Sequence, residues 1–340
     1  MKESRKVQKV GHSTLSVSLP ADWAKRKELK RGSTIFLYEE SDGSLRLFIE
    51  PRKSEEDIVT IDADQYEDPV TLARVVVGSY VLGRNVIRII SVGRLRREQI
   101  ENIRDVTQRL LGIGIVEESE KHVLLQSSIN PASFPISTMM RRLYMIVSTM
   151  FKETRDGLRD EDTELVKDAI SRKHEADTTY WLITRLLSSA QKSWVLARDI
   201  GINEPTEIIQ NSLISRFLGM IGDHTETLAK KYLELRQHAR DVSQEFMNLL
   251  DQISSLAFTV IEKAMESTFT GDVKIASDAM KMSSVVELKE HEFLDLLQKR
   301  NDELEVAPSL RSILSEVKTI TEYGSAISEI AIIKVLEKTT

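Results

Sequence analysis

His12 and Ser13 are the first place in this chain where side-chain chemistry could be sought, an imidazole beside a hydroxyl. The other histidines are His122, His174, His224, His238 and His291. None of the six lies in an HExxH, HxH or nucleophile-elbow setting. Arg5, Lys6 and Lys9 precede the pair and Thr14 follows it. Cations with small hydroxyl residues suit contact with a polyanion backbone, so a turn facing nucleic acid explains His12 and Ser13 better than a catalytic pair. No Walker phosphate loop is present. Gly112-Ile113-Gly114 follows a helical segment and enters a strand, the reverse of what a dinucleotide fingerprint requires. The chain reads as a non-enzyme.

The elements that must position these residues are short. Arg5 to Val10 reads as a basic strand and Gly11 as a turn. In the second strand Leu15, Val17 and Leu19 alternate against Thr14, Ser16 and Ser18. Pro20 is expected at the first helical position of a helix running to Leu29. Two further strands, 34–38 and 45–49, flank Asp42-Gly43, a hairpin signal because Asp-Gly tolerates positive φ. About fifty residues bury too little core alone, so a dimer is expected here.

Composition narrows the classes. The chain has 340 residues and no cysteine, which excludes disulfides, thiol catalysis and cysteine metal sites and fits a reducing compartment. With no long apolar run and a charged start, a cytoplasmic protein without membrane insertion is expected. Residues 1–31 hold nine Lys or Arg against three Asp or Glu, a net +6, so a total of −6 leaves −12 for the rest. A basic head on an acidic body points to local polyanion binding by the head.

Residues 55–130 read as an α+β region. Pro69 opens a helix that Gly83 closes, 86–90 is a β-branched strand, and 97–111 is an amphipathic helix with Ile100, Ile103, Val106, Leu110 and Leu111 on one stripe. Residues 112–116 and 122–125 close the region as a strand pair. Arg94, Arg96 and Arg97 read as a solvated helix start.

Residues 135–340 read as nearly pure helix, with segments at 136–158, 161–189, 205–236, 240–270, 272–301 and 308–337. The pattern of three repeats after roughly 100 residues: Asp223 and Glu322 lie 99 apart, and Pro205 and Pro308 lie 103 apart. Leu314, Val317, Ile320, Tyr323, Ile327, Ile330 and Ile333 recur at threes and fours as a buried stripe. The fold class expected is therefore multidomain: a small β-rich domain at 1–52, an α+β middle region, and tandem three-helix bundles at about 136–236 and 240–337.

Two resemblances sharpen this. The run GHSTLSVSLPADW at 11–23, after a basic strand and before two more strands, resembles the AbrB/MazE/SpoVT swapped-hairpin DNA-binding domains. That resemblance implies a homodimer whose DNA-facing residues are Arg5, Lys6, Lys9, His12, Ser13 and Thr14. The segment FLGMIGDHTETLA at 217–229 resembles the PhoU signature, which reads roughly E-R-I-G-D-H-A-x-N-I-A, and KTITEYGSAISEI at 318–330 is its counterpart in the second repeat. Together the regions look like archaeal-type phosphate uptake regulators that fuse a swapped-hairpin domain to PhoU.

The PhoU resemblance also implies divalent or iron metal held by acids spaced i, i+4, which share a helix face. In this chain those pairs fall at Lys173/Asp177, Gly219/Asp223, Ser283/Glu287 and Lys318/Glu322, so every first carboxylate is missing. Asp177, Asp223, Glu226 and Glu322 remain as metal candidates, with Glu287, Glu329 and His224 nearby in the pattern. A surface or capping role for these acids outweighs a metal site. The function expected is a DNA-binding transcription regulator of phosphate homeostasis that senses through its helical half. The alternative is an adaptor docking on a phosphate transporter or signalling protein, its head serving to dimerise. A metal-dependent phosphate enzyme is the third reading.

Overall fold

The computed structural model describes residues 4–11, 14–39, 44–49, 58–238, 242–299 and 306–339. The chain divides into two compact units, Met1–Asp57 and Ile58–Thr340.

The first unit is two small hairpins and one short helix. β1 (Gln8–Val10) pairs antiparallel with β2 (Thr14–Ser16), and β3 (Phe36–Glu39) with β4 (Leu45–Phe48). Gly11 turns the first hairpin at φ +70°, a left-handed value that glycine adopts without a Cβ clash. The Asp42–Gly43 hairpin signal lies outside the described residues. α1 (Ala21–Arg26) is shorter than expected, with Pro20 one residue earlier than expected, at its N-cap. The helix stops because Glu28 takes a left-handed φ of 53°. Tyr38 meets Phe48 edge to face at 5.3 Å. No described residue of this unit is buried.

The second unit begins with a mixed sheet. β5 (Ile58–Asp62), α2 (Pro69–Val81), β6 (Val86–Ile90), α3 (Arg97–Gln108), β7 (Ile113–Glu118) and β8 (His122–Ser127) give the strand order β5-β6-β8-β7. β5 and β6 are parallel, and the other pairs are antiparallel. Asp68 caps α2 by accepting from the backbone N–H groups of Val70 and Thr71, and Pro69 sits at the first position where no donor is lost. Leu72, Val76 and Tyr80 of α2 and Ile103 of α3 pack on Ile87, Ile89, Val123 and Leu125. The expected stripe of α3 thins at its end, where Leu111 is exposed.

Eight helices follow: α4 (Ile136–Arg159), α5 (Thr163–Ser171), α6 (Lys173–Ala190), α7 (Trp194–Asp199), α8 (Pro205–His238), α9 (Gln244–Thr270), α10 (Val273–Lys299) and α11 (Ala307–Thr339). The expected helix 161–189 is two helices. Asp162 caps α5 instead, accepting from the N–H groups of Glu164 and Leu165. Arg172 separates α5 from α6, and its guanidinium grips Glu153 of α4 at 2.7 and 2.8 Å. Gly157 lets α4 and α5 close tightly, since a Cβ there would lie 2.5 Å from Val166 Cγ2 and 2.8 Å from the Asp162 carbonyl.

α8 packs on α4, α6 and α11, and α9 on α4, α10 and α11. One apolar core runs through both helical repeats, from Leu143 and Phe151 through Leu218 to Ile261 and Ile320. The stripe on α11 is buried only as far as Ile330; Ile333 is exposed.

Candidate nucleic-acid interface and the carboxylate loci

In the first unit the register of the β1–β2 hairpin decides which residues can act together. Directly paired residues of an antiparallel ladder share a face. Lys9 pairs with Leu15, whereas Val10 pairs with Thr14 and Gln8 with Ser16. Lys9 and Thr14, both expected on one DNA-facing surface, therefore stand on opposite faces of the hairpin. Arg5, Lys6, Lys9 and Thr14 are all exposed. His12 and Ser13 lie outside the described residues. The face that carries Lys9 also carries Leu15, 70% exposed, and the unit leaves Val7, Val10, Val17, Leu37 and Leu45 open as well.

The acids of the helical half are placed by their helices. Lys173 opens α6, and its ammonium lies between two carboxylates. It binds Asp177 one turn along its own helix and Asp223 Oδ1 of α8 at 2.9 Å. Its side chain is only 13% exposed. Burial works against the charged amine, but the hydrogen bonds to Asp177 and Asp223 outweigh it and raise the Lys173 pKa. Glu226 is held by Lys230 at 2.6 Å, one turn along α8. In the second repeat Lys318 of α11 reaches Glu290 Oε2 of α10 at 2.9 Å. The bond to Glu290 is the main cause of a raised Lys318 pKa, with the nearby charges of Glu322 and Glu287 adding to it.

The expected metal candidates therefore separate. Asp177 and Asp223 come together, around an ammonium; Glu226 is paired elsewhere; Glu322 lies in the field of Lys318. Among the described residues no three His, Asp or Glu side chains converge as a metal ion requires. These loci do not fit a divalent or iron centre, because a protein cation already stands between the carboxylates.

His224, a possible nitrogen ligand by its place in the motif, is engaged otherwise. Its Nδ1 lies 2.6 Å from Glu316 Oε2 of α11, and its ring is 5.6 Å from that of Tyr323. Lys231 donates to the other Glu316 oxygen. This triad joins the two repeats.

Sequence reasoning missed the residues that fasten the sheet to the bundle. Arg185 of α6 is buried and donates to the carbonyls of Tyr80 and Arg84 at 2.6 and 2.9 Å and to Asn85 Oδ1 at 2.7 Å. Lys192 donates to the Leu82 carbonyl, and Thr178 to the Arg109 carbonyl. One signal was available: Arg185 is the lone charge in the mostly apolar run from Tyr180 to Leu187. Tyr80 itself has its phenol pushed up to about 12 by burial and donates to the Leu111 carbonyl.

The two units are unlike: a hairpin unit in which no described residue is buried, and an α/β-plus-helix unit with an extended apolar core. The comparisons agree. The PhoU domain profile matches residues 140–232, and the profile described as antidote-toxin recognition MazE, bacterial antitoxin, matches residues 8–57. The chain thus joins an N-terminal MazE/AbrB-type domain to a C-terminal PhoU domain, both regulatory and non-catalytic families. Two solved structures share the helical fold at 15% identity. PhoU from Pseudomonas aeruginosa has a TM-score of 0.51 over 60% of this chain and 96% of that one. The phosphate transport system regulatory protein PhoU from Streptococcus pneumoniae has a TM-score of 0.50 over 60% and 94%. No curated protein matches the sequence. No described helix is long and apolar enough to cross a membrane.

Proposed function

We propose that the chain is a DNA-binding transcription regulator of phosphate uptake, acting as a homodimer through its N-terminal unit and sensing through its PhoU domain. The observation that carries this reading is the first unit itself: nine Lys or Arg against three acids over its first 31 residues, no buried described residue, and Leu15 and its apolar neighbours open. Covering that apolar surface with a second copy supplies the interior the unit lacks. Dimerisation also doubles the cations presented to a polyanion. Arg5, Lys6 and Lys9 contact phosphates, while His12, Ser13 and Thr14 sit nearest the base edges. Because Lys9 and Thr14 occupy opposite faces of one hairpin, the DNA-facing surface combines different faces of the two copies. The bundle alters the spacing of paired heads and so changes which half-site separation fits.

Binding of full-length protein to random-sequence duplex DNA over a salt series tests this. Six phosphate contacts per dimer predict that affinity falls about 10³-fold between roughly 50 and 200 mM salt. Affinity that ignores salt, or that survives the double variant Arg5→Ala/Lys9→Ala, overturns the DNA reading. It leaves the adaptor reading, in which the PhoU domain docks on a transporter or signalling protein and the head only dimerises.

A further inference from the structure

The two carboxylate loci share an arrangement in which one ammonium joins two helices. In the first, the Lys173 ammonium spans α6 and α8 by binding Asp177 and Asp223. In the second, the Lys318 ammonium spans α11 and α10 by binding Glu290, with Glu287 and Glu322 close enough to act on its charge. Each lysine occupies the first position of an i, i+4 pair whose second position is an acid: Lys173 before Asp177, Lys318 before Glu322. A lysine thus stands at the first position of one such pair in each repeat, on α6 in one and on α11 in the other.

An ammonium is a compact point charge with three donors, so it can satisfy carboxylates from two helices at once. A divalent ion bridging the same oxygens would have to lie within a few ångströms of that nitrogen, where two positive charges repel strongly in a partly buried site. Ammonium and metal are mutually exclusive at each locus. Both lysines are held in place: the Lys173 side chain is largely buried, and the Lys318 partner Glu290 is only 13% exposed.

We propose that Lys173 and Lys318 are the resident cations of these loci, bridging facing helices in place of a metal ion and making assembly of the helical domain independent of metal. The domain would then answer to its partners or small-molecule signals without reporting on divalent cation supply.

The test uses the full chain, with manganese as the only probe. The melting temperature of the wild type is expected to stay unchanged by EDTA and by millimolar manganese. Manganese counted by electron paramagnetic resonance is expected to show no bound ion. Lys318→Met, the milder variant because that lysine is more exposed, leaves Glu290, Glu287 and Glu322 without their cation. It is expected to melt lower than the wild type. Lys173→Met should behave likewise through Asp177 and Asp223, and Lys318→Arg should remain indifferent to manganese. A wild type that melts lower in EDTA or holds manganese overturns the proposal. So does a folded Lys318→Met protein that melts with the wild type.

Discussion

The guanidinium of Arg185 and the backbone carbonyl of Tyr80 lie 2.6 Å apart across 105 residues of sequence. The same guanidinium sits 4.7 Å from the centre of the Tyr80 ring. One side chain thereby satisfies the end of α2, stacks on its last large residue, and ties the sheet to α6. Arg185→Met is expected to remove the three hydrogen bonds to the Tyr80 and Arg84 carbonyls and Asn85 Oδ1, at a cost of about 3 kcal/mol. Arg185→Lys should recover little of it, because a point charge cannot reproduce the planar fork. Urea unfolding measures both: the midpoint should fall with the slope unchanged.

The Glu316 triad predicts a pH effect with a definite sign. Burial pushes the Glu316 carboxyl up, but the hydrogen bonds from Lys231 and His224 outweigh it and hold it below its ordinary value of 4.5. A carboxyl lower in the folded than the unfolded state adds stability above about pH 4.5, and that stability is lost as the pH falls through the folded value. Glu316→Gln should therefore flatten the loss of stability below pH 4.5. Chemical denaturation at pH steps from neutral downward compares the two proteins. Equal slopes would remove the triad from the account.

Leu15→Lys discriminates a free surface from a covered one. On an isolated unit a residue 70% exposed tolerates lysine with little change. At a buried dimer seam each copy forfeits roughly 2 kcal/mol of apolar burial. Analytical ultracentrifugation should show the variant shifting from dimer toward monomer, and an unchanged dimer would place the seam elsewhere.

Gly157→Ala tests the corner between α4 and α5. The added methyl would meet both Val166 and the Asp162 carbonyl, at a cost of roughly 2 kcal/mol. Adding Val166→Ala should restore only part of it, because the backbone oxygen cannot retreat. A thermal melt of the single and double variants reads this directly.

Much of the fold was legible because it rests on local pattern. The strand 86–90 and the helix opened by Pro69 appear where periodicity and capping put them. β5 escaped because its five residues follow an acidic run with no turn signal before them, and α7 because six residues give too little period to read. The broken second helix kept an amphipathic pattern across Arg172, so nothing in its spacing announced the break. The site was legible only as far as one helix reaches. Lys173 and Asp177, four apart, could be paired on sight, whereas Lys173 and Asp223 meet only because α6 packs on α8. The register that separates Lys9 from Thr14 likewise follows from a two-strand pairing.

A unit in which no described residue is buried has a further consequence. If its interior is made by two copies meeting, its folding is a second-order process, and the folded fraction rises with protein concentration. Dilution then does to the head what denaturant does to an ordinary domain. The number of chains per cell becomes an input to DNA binding in its own right, acting before any ligand reaches the helical domain.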